Sequence, residues 1–314
     1  MKTCKLLSIA VLAMAMSLVS CSGDDGEQGP QGEKGAQGEQ GVQGEQGVPG
    51  EDKPNMDFYF QDGFKDYAGT NDASVITDGV GVNEDLMSLY YSNNGLAIAE
   101  RRALLRFDGI DETLTSALVN EGETCEDAFY INKATLYVYI SNYINQSYDN
   151  LFIKAGFYGN QDPYFVESEV SWSMANSSED WGDNGAESEQ WAGPIGSDDY
   201  PFLLPKGQGS AYGWFPILLP RSVVKDWICS PNTNKGIRLR LDPNTTDVGS
   251  GSMSIIASEN SLEDLRPLLV IETEKVDSQS AKSAISNGKD DWNSMSYEEK
   301  MAPLYRYLEM KKAN

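Results

Sequence analysis

Between residues 56 and 274, apolar and polar positions alternate in short runs. In segment 102–107, Ala103, Leu105 and Phe107 fall on one face. In segment 133–140, Ala134, Leu136, Val138 and Ile140 point one way, and Thr135, Tyr137 and Tyr139 the other. Segment 236–241 repeats the pattern, with Arg238 and Arg240 on the outward face. A period of two, interrupted by Gly, Asn, Asp and Pro clusters, predicts antiparallel strands with one buried and one wet face. Segments 151–157, 214–219, 253–257 and 268–272 are further strands by the same criterion. Eight or more short strands over about 220 residues predict an all-β domain, a β-sandwich or jelly roll. One short helix interrupts them, with Ser222 as its cap and Val223, Val224 and Trp227 on one face.

The chain begins differently. Lys2 and Lys5 precede an apolar run over 6–19 that is too short for a membrane span. It ends in Leu18-Val19-Ser20-Cys21, which resembles the lipobox of bacterial lipoproteins. That resemblance implies a signal peptide over 1–20 and lipidation at Cys21. The anchor would then hold the protein to a membrane without a spanning helix. Ser22-Gly23-Asp24-Asp25 is similar to the acidic surface-export signal of Bacteroidota lipoproteins, which implies an outer-membrane protein facing the exterior.

From Gly26 to Gly50 every third residue is glycine. This is the collagen period, in which only glycine fits at the axis of three packed chains. The segment resembles the collagen-like stalks of bacterial surface proteins, and a homotrimer through it is one expectation. Only Pro30 and Pro49 lie within the run, so an extended, flexible stalk is the other. Residues 21–55 are thus read as anchor and stalk, 56–274 as the β domain, and 275–314 as a polar linker with a C-terminal helix. Ser296 and Glu299 have capping-box spacing. Met301, Leu304, Tyr305 and Leu308 would line the helix face, and Pro303 would disturb its first half.

The β region resembles the DNRLRE-type domain, a β-sandwich of bacterial secreted proteins related to carbohydrate-binding modules. Arg102-Ala103-Leu104-Leu105-Arg106-Phe107-Asp108 is similar to one strand of that family, and Ala134-Thr135-Leu136-Tyr137-Val138-Tyr139 to the next. Glu169-Val170-Ser171-Trp172, Val223-Val224-Lys225-Asp226-Trp227 with Asn234-Lys235-Gly236-Ile237, and Ser258-Glu259-Asn260 with Leu265-Arg266-Pro267-Leu268-Leu269-Val270 follow in family order. Insertions at 110–131, containing Cys125, and at 174–203 depart from it. The resemblance implies a β-sandwich and, in some members, polysaccharide binding without catalysis.

Composition narrows the chemistry. The chain has 24 basic and 48 acidic residues, a net charge of −24, and loses Lys2 and Lys5 with the signal. Such a surface repels nucleic acid and anionic lipid. The absence of histidine removes histidine nucleophile activation, general-base chemistry and metal ligation. Only carboxylates remain for acid–base work, and none is singled out. Cys125 and Cys229 either pair as a disulfide or stay as buried thiols. Trp181, Trp191, Tyr200, Tyr212 and Trp214 crowd one presumed loop and are the candidate glycan-binding aromatics; the competing role is to pin that loop. Asp180, Asp183 and Asn184, or Asp242, Asn244 and Asp247, are oxygen-rich enough to hold structural calcium, as ordinary solvated loops also are. No other cofactor is expected. The expected function is a non-catalytic surface lipoprotein that binds polysaccharide. The alternative is a structural or adhesive protein that binds a protein partner or itself through the stalk and C-terminal segment.

Overall fold

The computed structural model describes residues 56–77, 79, 85–145, 147–187, 213–275, 292 and 295–313, and the backbone alone of 202–204 and 207–209. The signal segment, Cys21, the Gly-X-Y run, Trp191, Tyr200 and Tyr212 lie outside these residues. The described strands are β1 (Met56–Phe60), β2 (Thr70–Ile76), β3 (Leu86–Asn93), β4 (Ile98–Phe107), β5 (Phe129–Asn145), β6 (Leu151–Phe157), β7 (Phe202–Leu204), β8 (Gly207–Gly209), β9 (Gly213–Leu218), β10 (Ile237–Asp242), β11 (Gly249–Ile256) and β12 (Leu268–Lys275). Four helices accompany them: α1 (Ile110–Leu118), α2 (Cys125–Ala128), α3 (Arg221–Cys229) and α4 (Tyr297–Ala313).

The strands form one curled antiparallel sheet. Its main path runs β1-β12-β5-β11-β3-β4-β10-β6-β7, with β2 paired to β4 and with β8 and β9 paired to β5. The long β5 makes the curl possible by changing partners along its length. Its first half pairs with β12 and β9, and its second half with β11 and β8. Register shifts between Ser254 and Ile255 and between Glu272 and Thr273 mark irregularities of the kind that bends a strand.

The inward face carries the alternating residues. Leu105, Phe107, Leu136, Val138, Ile237 and Leu239 belong to one buried cluster, joined by Met87 and Leu89 of β3 and Met253 and Ile255 of β11. Amphipathic α1 and α3 extend this core through Ile110, Leu114, Leu118, Val224, Trp227 and Ile228. Helix α3 starts at Arg221, so Ser222 sits inside it and Pro220 occupies the cap position without a side-chain bond. Gly236 turns the chain into β10 at φ +97°. A Cβ there would lie 2.7 Å from the carbonyl oxygen of Leu105, so glycine is required sterically as well.

The outward face is not uniformly wet, contrary to the expectation from alternation. Thr135 and Tyr137 of β5, Leu104 of β4 and Arg238 of β10 are all buried. Two covers account for this. Helix α4 lays Met301, Leu304 and Tyr307 over Tyr137, Leu268 and Val270. The connection over 158–187 lays Tyr158, Phe165, Val170 and Trp181 over Ala73, Val75 and Leu104. The capping box of α4 is present: the Ser296 amide donates to Glu299 (2.7 Å), and the Glu299 amide to Ser296 Oγ (3.2 Å). The helix continues through Pro303. Its buried arc differs by one step from the expected one, since Tyr305 is exposed and Tyr307 is fully buried. The Tyr307 hydroxyl finds Gln61 Oε1 at 2.6 Å, which explains why a tyrosine is tolerated there.

A disulfide joins Cys125 of α2 to Cys229 of α3, 104 residues apart in sequence, with Cα atoms 5.5 Å apart. Lys225 reinforces the same corner by donating to the carbonyls of Cys125 (3.0 Å) and Phe129 (2.8 Å). Closing a loop of this length restricts the unfolded chain. The double change Cys125→Ser and Cys229→Ser is expected to lower unfolding free energy by ~2–4 kcal/mol. Denaturant titration with and without reductant checks this: reductant should destabilise the parent chain and leave the double variant unmoved.

Candidate functional site

A groove of about 400 Å³ lies on the outward face, lined by the end of β2 with Thr77 and by parts of β3, β4 and β11. Strand alternation builds it. Met87, Leu89 and Tyr91 of β3 point into the core, which turns Ser88 and Tyr90 outward. On β11, Met253 and Ile255 point inward, so Ser250, Ser252 and Ser254 form an outward row. The ladder sets Tyr90 opposite Ser252 on one side and Arg101 on the other, and Ser88 opposite Ser254. The Tyr90 side chain is 39% exposed. Glu100 lines the groove, but its carboxylate is taken by Arg102 Nε at 2.6 Å. Among the described residues, no carboxylate pairs with Arg101. The arrangement offers a half-exposed phenol ring, a row of hydroxyls and a guanidinium. These groups suit a polyhydroxylated ligand with an apolar C–H face.

Of the five aromatics selected from the sequence, Trp181 and Trp214 fall among the described residues, and neither lines this groove. Trp181 is buried at 4% exposure. Its ring stacks on Tyr158 with centroids 5.4 Å apart, and its Nε1 donates to the Ser171 carbonyl (3.2 Å). It therefore pins the 158–187 connection and cannot stack on a sugar. Trp214 is half-buried, meets Tyr139 edge-on at 5.6 Å, and packs beside the α4 cluster. Its carbonyl accepts from the Tyr297 hydroxyl (3.1 Å). Trp181 and Trp214 lie in separate apolar clusters, under different covers. The groove residues have one signal in the sequence, the serine at every second position of 250–254, which carries no aromatic ring.

Asp180, Asp183 and Asn184 are exposed on the 158–187 connection, with Asp180 and Asp183 in isolated bridges to Met174 and Glu187. At the other acidic loop, Lys154 Nζ takes the place a cation would need. It lies 3.1 Å from Asp242 and 2.6 Å from Asn244 Oδ1. Among the described residues, Asp72, Glu167 and Glu259 form a compact acidic group, each with one carboxylate oxygen within 4.8 Å of the others'. Asp72 is on β2 and 1% exposed, Glu167 is on the 158–187 connection, and Glu259 is on the turn after β11. The Ser258 amide donates to Asp72 at 2.7 Å. Burial first, and the Glu259 charge second, push the Asp72 carboxyl up to about 7. Burial, then the Glu259 contact and charge, push Glu167 up to about 8. Neither would be fully ionised at neutral pH without a cation beside it.

No family model matches the chain, and no curated protein matches it.

The raised carboxyls fix a sign for pH dependence. The folded state holds these protons more tightly than the unfolded chain does. Their stabilising contribution is therefore complete below the ordinary carboxylate range, and it is lost as pH rises through about 7 for Asp72 and about 8 for Glu167. In chelator-treated buffer the melting temperature is expected to fall between about pH 5 and about pH 9, and Asp72→Asn should flatten that slope. Thermal unfolding across this range checks it; a melting temperature that rises with pH would contradict the assignment.

Proposed function

We propose that this chain is a cell-surface lipoprotein whose β domain binds polysaccharide without cleaving it. In this reading Cys21 carries the lipid in the outer membrane and the Gly-X-Y segment 26–50 lifts the domain toward the exterior. The curled sheet is then a β-sandwich of the DNRLRE type that the sequence resembles. The single observation that carries the binding role is the open groove with Tyr90 beside the serine row of β11. A glycosidase needs two working carboxyls flanking the substrate. The groove's lining carboxylate, Glu100, is held by Arg102, and the chain has no histidine to substitute. Asp72, at 1% exposure, is out of reach of a polymeric substrate. Overall charge favours a neutral or weakly charged glycan, although at a Debye length of ~8 Å the local Arg101 counts for more than distant aspartates.

One observation favours the adhesive alternative. At the tip of the β3–β4 hairpin Leu96 is 96% exposed, and Ile98 and nearby Val248 are exposed as well. Bare apolar side chains clustered at one tip suit contact with a protein or a second copy.

A glycan array probed with the mature protein separates the two. The expected result is weak retention of a neutral polysaccharide, no release of reducing sugar, and loss of retention in Tyr90→Ala. Tyr90 is half-exposed, so the melting temperature should hold. Trp181→Ala, by contrast, should cost ~3–5 kcal/mol of stability as a core truncation. Retention that survives Tyr90→Ala would move the site elsewhere. No retention by any glycan would favour the adhesive reading.

A further inference from the structure

We propose that the ligand of the β3–β4–β11 groove is a largely neutral polysaccharide with isolated oxyanionic substituents, sulfate esters or carboxylates, and that Arg101 holds one of them beside Tyr90. The inference rests on the polysaccharide reading of the same groove and names its ligand class. Its motive is the state of Arg101. The chain has 48 acidic residues against 24 basic ones, so anions are plentiful. Arg102, Arg106, Arg238, Arg240, Arg266 and Arg306 each pair with a carboxylate. Arg101 lines the groove half-buried, and among the described residues no carboxylate meets it. The carboxylate of its chain neighbour Glu100 is turned to Arg102, 2.6 Å from Nε. The fold thus leaves a guanidinium without an anion in the wall of the groove, in a chain that has anions in excess.

A guanidinium presents a planar fork of N–H donors that matches two oxygens of a sulfate or a carboxylate. Position narrows the ligand further. Arg101 lies directly opposite Tyr90, and Tyr90 directly opposite Ser252. Two strand spacings, about 10 Å, therefore separate Arg101 from Ser252, with Tyr90 between them. A sugar lying on the Tyr90 ring has a hydroxyl on one side and a cation on the other. One cation serves one anion. Glu100 is the other charged residue of the lining, and among the described residues no second cation lines the groove. A polyuronate, with a charge on every sugar, would bring further anions within the ~8 Å over which charges are poorly screened. These anions would find no cation in the groove and a chain of net charge −24 around it. Isolated substituents on a neutral chain avoid that repulsion and still engage Arg101.

The test measures binding of the mature protein to neutral dextran, galactan and mannan, to the same chains lightly sulfated or lightly carboxymethylated, and to a polyuronate. The expected result is that a lightly charged form binds about tenfold tighter than its neutral parent, with a gain that shrinks as salt rises. The sulfated and carboxymethylated arms show which oxyanion gives the larger gain. The polyuronate should bind more weakly than the better of them. Arg101→Gln should bring the charged-to-neutral ratio to about one, and Arg101→Lys, which keeps the charge and loses the fork, should restore part of it. Tyr90→Ala should weaken binding to every form. Neutral chains bound as tightly as their charged forms would overturn this inference and leave the polysaccharide reading standing. A ratio that survives Arg101→Gln, or a polyuronate bound tightest of all, would also overturn it. No binding to any probe would overturn both.

Discussion

Glu187 sits between two guanidiniums on the outward face of the sheet. It pairs with Arg102 of β4 (2.7 Å) and with Arg238 of β10. Arg238 is 1% exposed, so the sheet buries a cation and must find it an anion. Glu187 is that anion. Burial alone would raise its carboxyl, but Arg238 and then Arg102 outweigh burial and hold it below the usual carboxylate range. Magnitude separates this contact from the others on the surface. Exposed ion pairs such as Arg306 with Asp57 and Glu272 contribute ~0–1 kcal/mol, whereas removing one partner of a buried pair costs ~3–5 kcal/mol. With Glu187 at 29% exposure, the clasp falls between these limits but nearer the second.

The rest of that face follows from the clasp. Bringing Glu187 to the arginines forces the chain through Gly185 at φ +87°. A Cβ there would meet Arg102 Nη1 at 2.7 Å and Trp172 at 2.8 Å. The Gly185 carbonyl accepts from Arg102 (2.6 Å), the Ala186 carbonyl from the Tyr158 hydroxyl (2.9 Å) and from Arg238 (3.2 Å). With both ends of the connection tied down, Trp181 has no place to go but onto Tyr158, and Glu167 is delivered beside Asp72. The buried Trp181 indole thus belongs to the same connection that Glu187 ties to Arg102 and Arg238.

This explains what the sequence disclosed and what it withheld. Core positions with strict alternation, such as Leu105, Phe107, Ile237 and Leu239, were legible because a period of two has one physical meaning when half of the residues are apolar. Arg238 belongs to the same run, and alternation alone sent it to solvent; a partner 51 residues away in sequence keeps it inside. The strands at 56–60, 70–76 and 86–93 were less legible because their runs are short and because β2 places polar Asp72 and Ser74 on the face shared with Leu105 and Ala103. In α4, Tyr305 and Tyr307 are chemically alike, and Tyr307 is the buried one because Tyr59, Phe64 and Gln61 lie beneath it. The acidic triad had no spacing signal at all, since its members lie on three elements.

The two covers also limit where a ligand can meet the sheet. One part of the outward face is sealed by the 158–187 connection, and another by α4 with its aromatic contacts between Tyr307 and Tyr59 and Phe64. Between these regions, β3 and β11 carry small hydroxyl side chains, and no described segment lies over them. Serine rows are poor seats for an apolar cover, because burying each hydroxyl without a partner would cost ~1–3 kcal/mol. The same chemistry would suit the groove to the proposed ligand, which brings its own hydroxyls. In the proposed reading Tyr90, set among these serines, would supply a flat surface against which such a ligand could be desolvated.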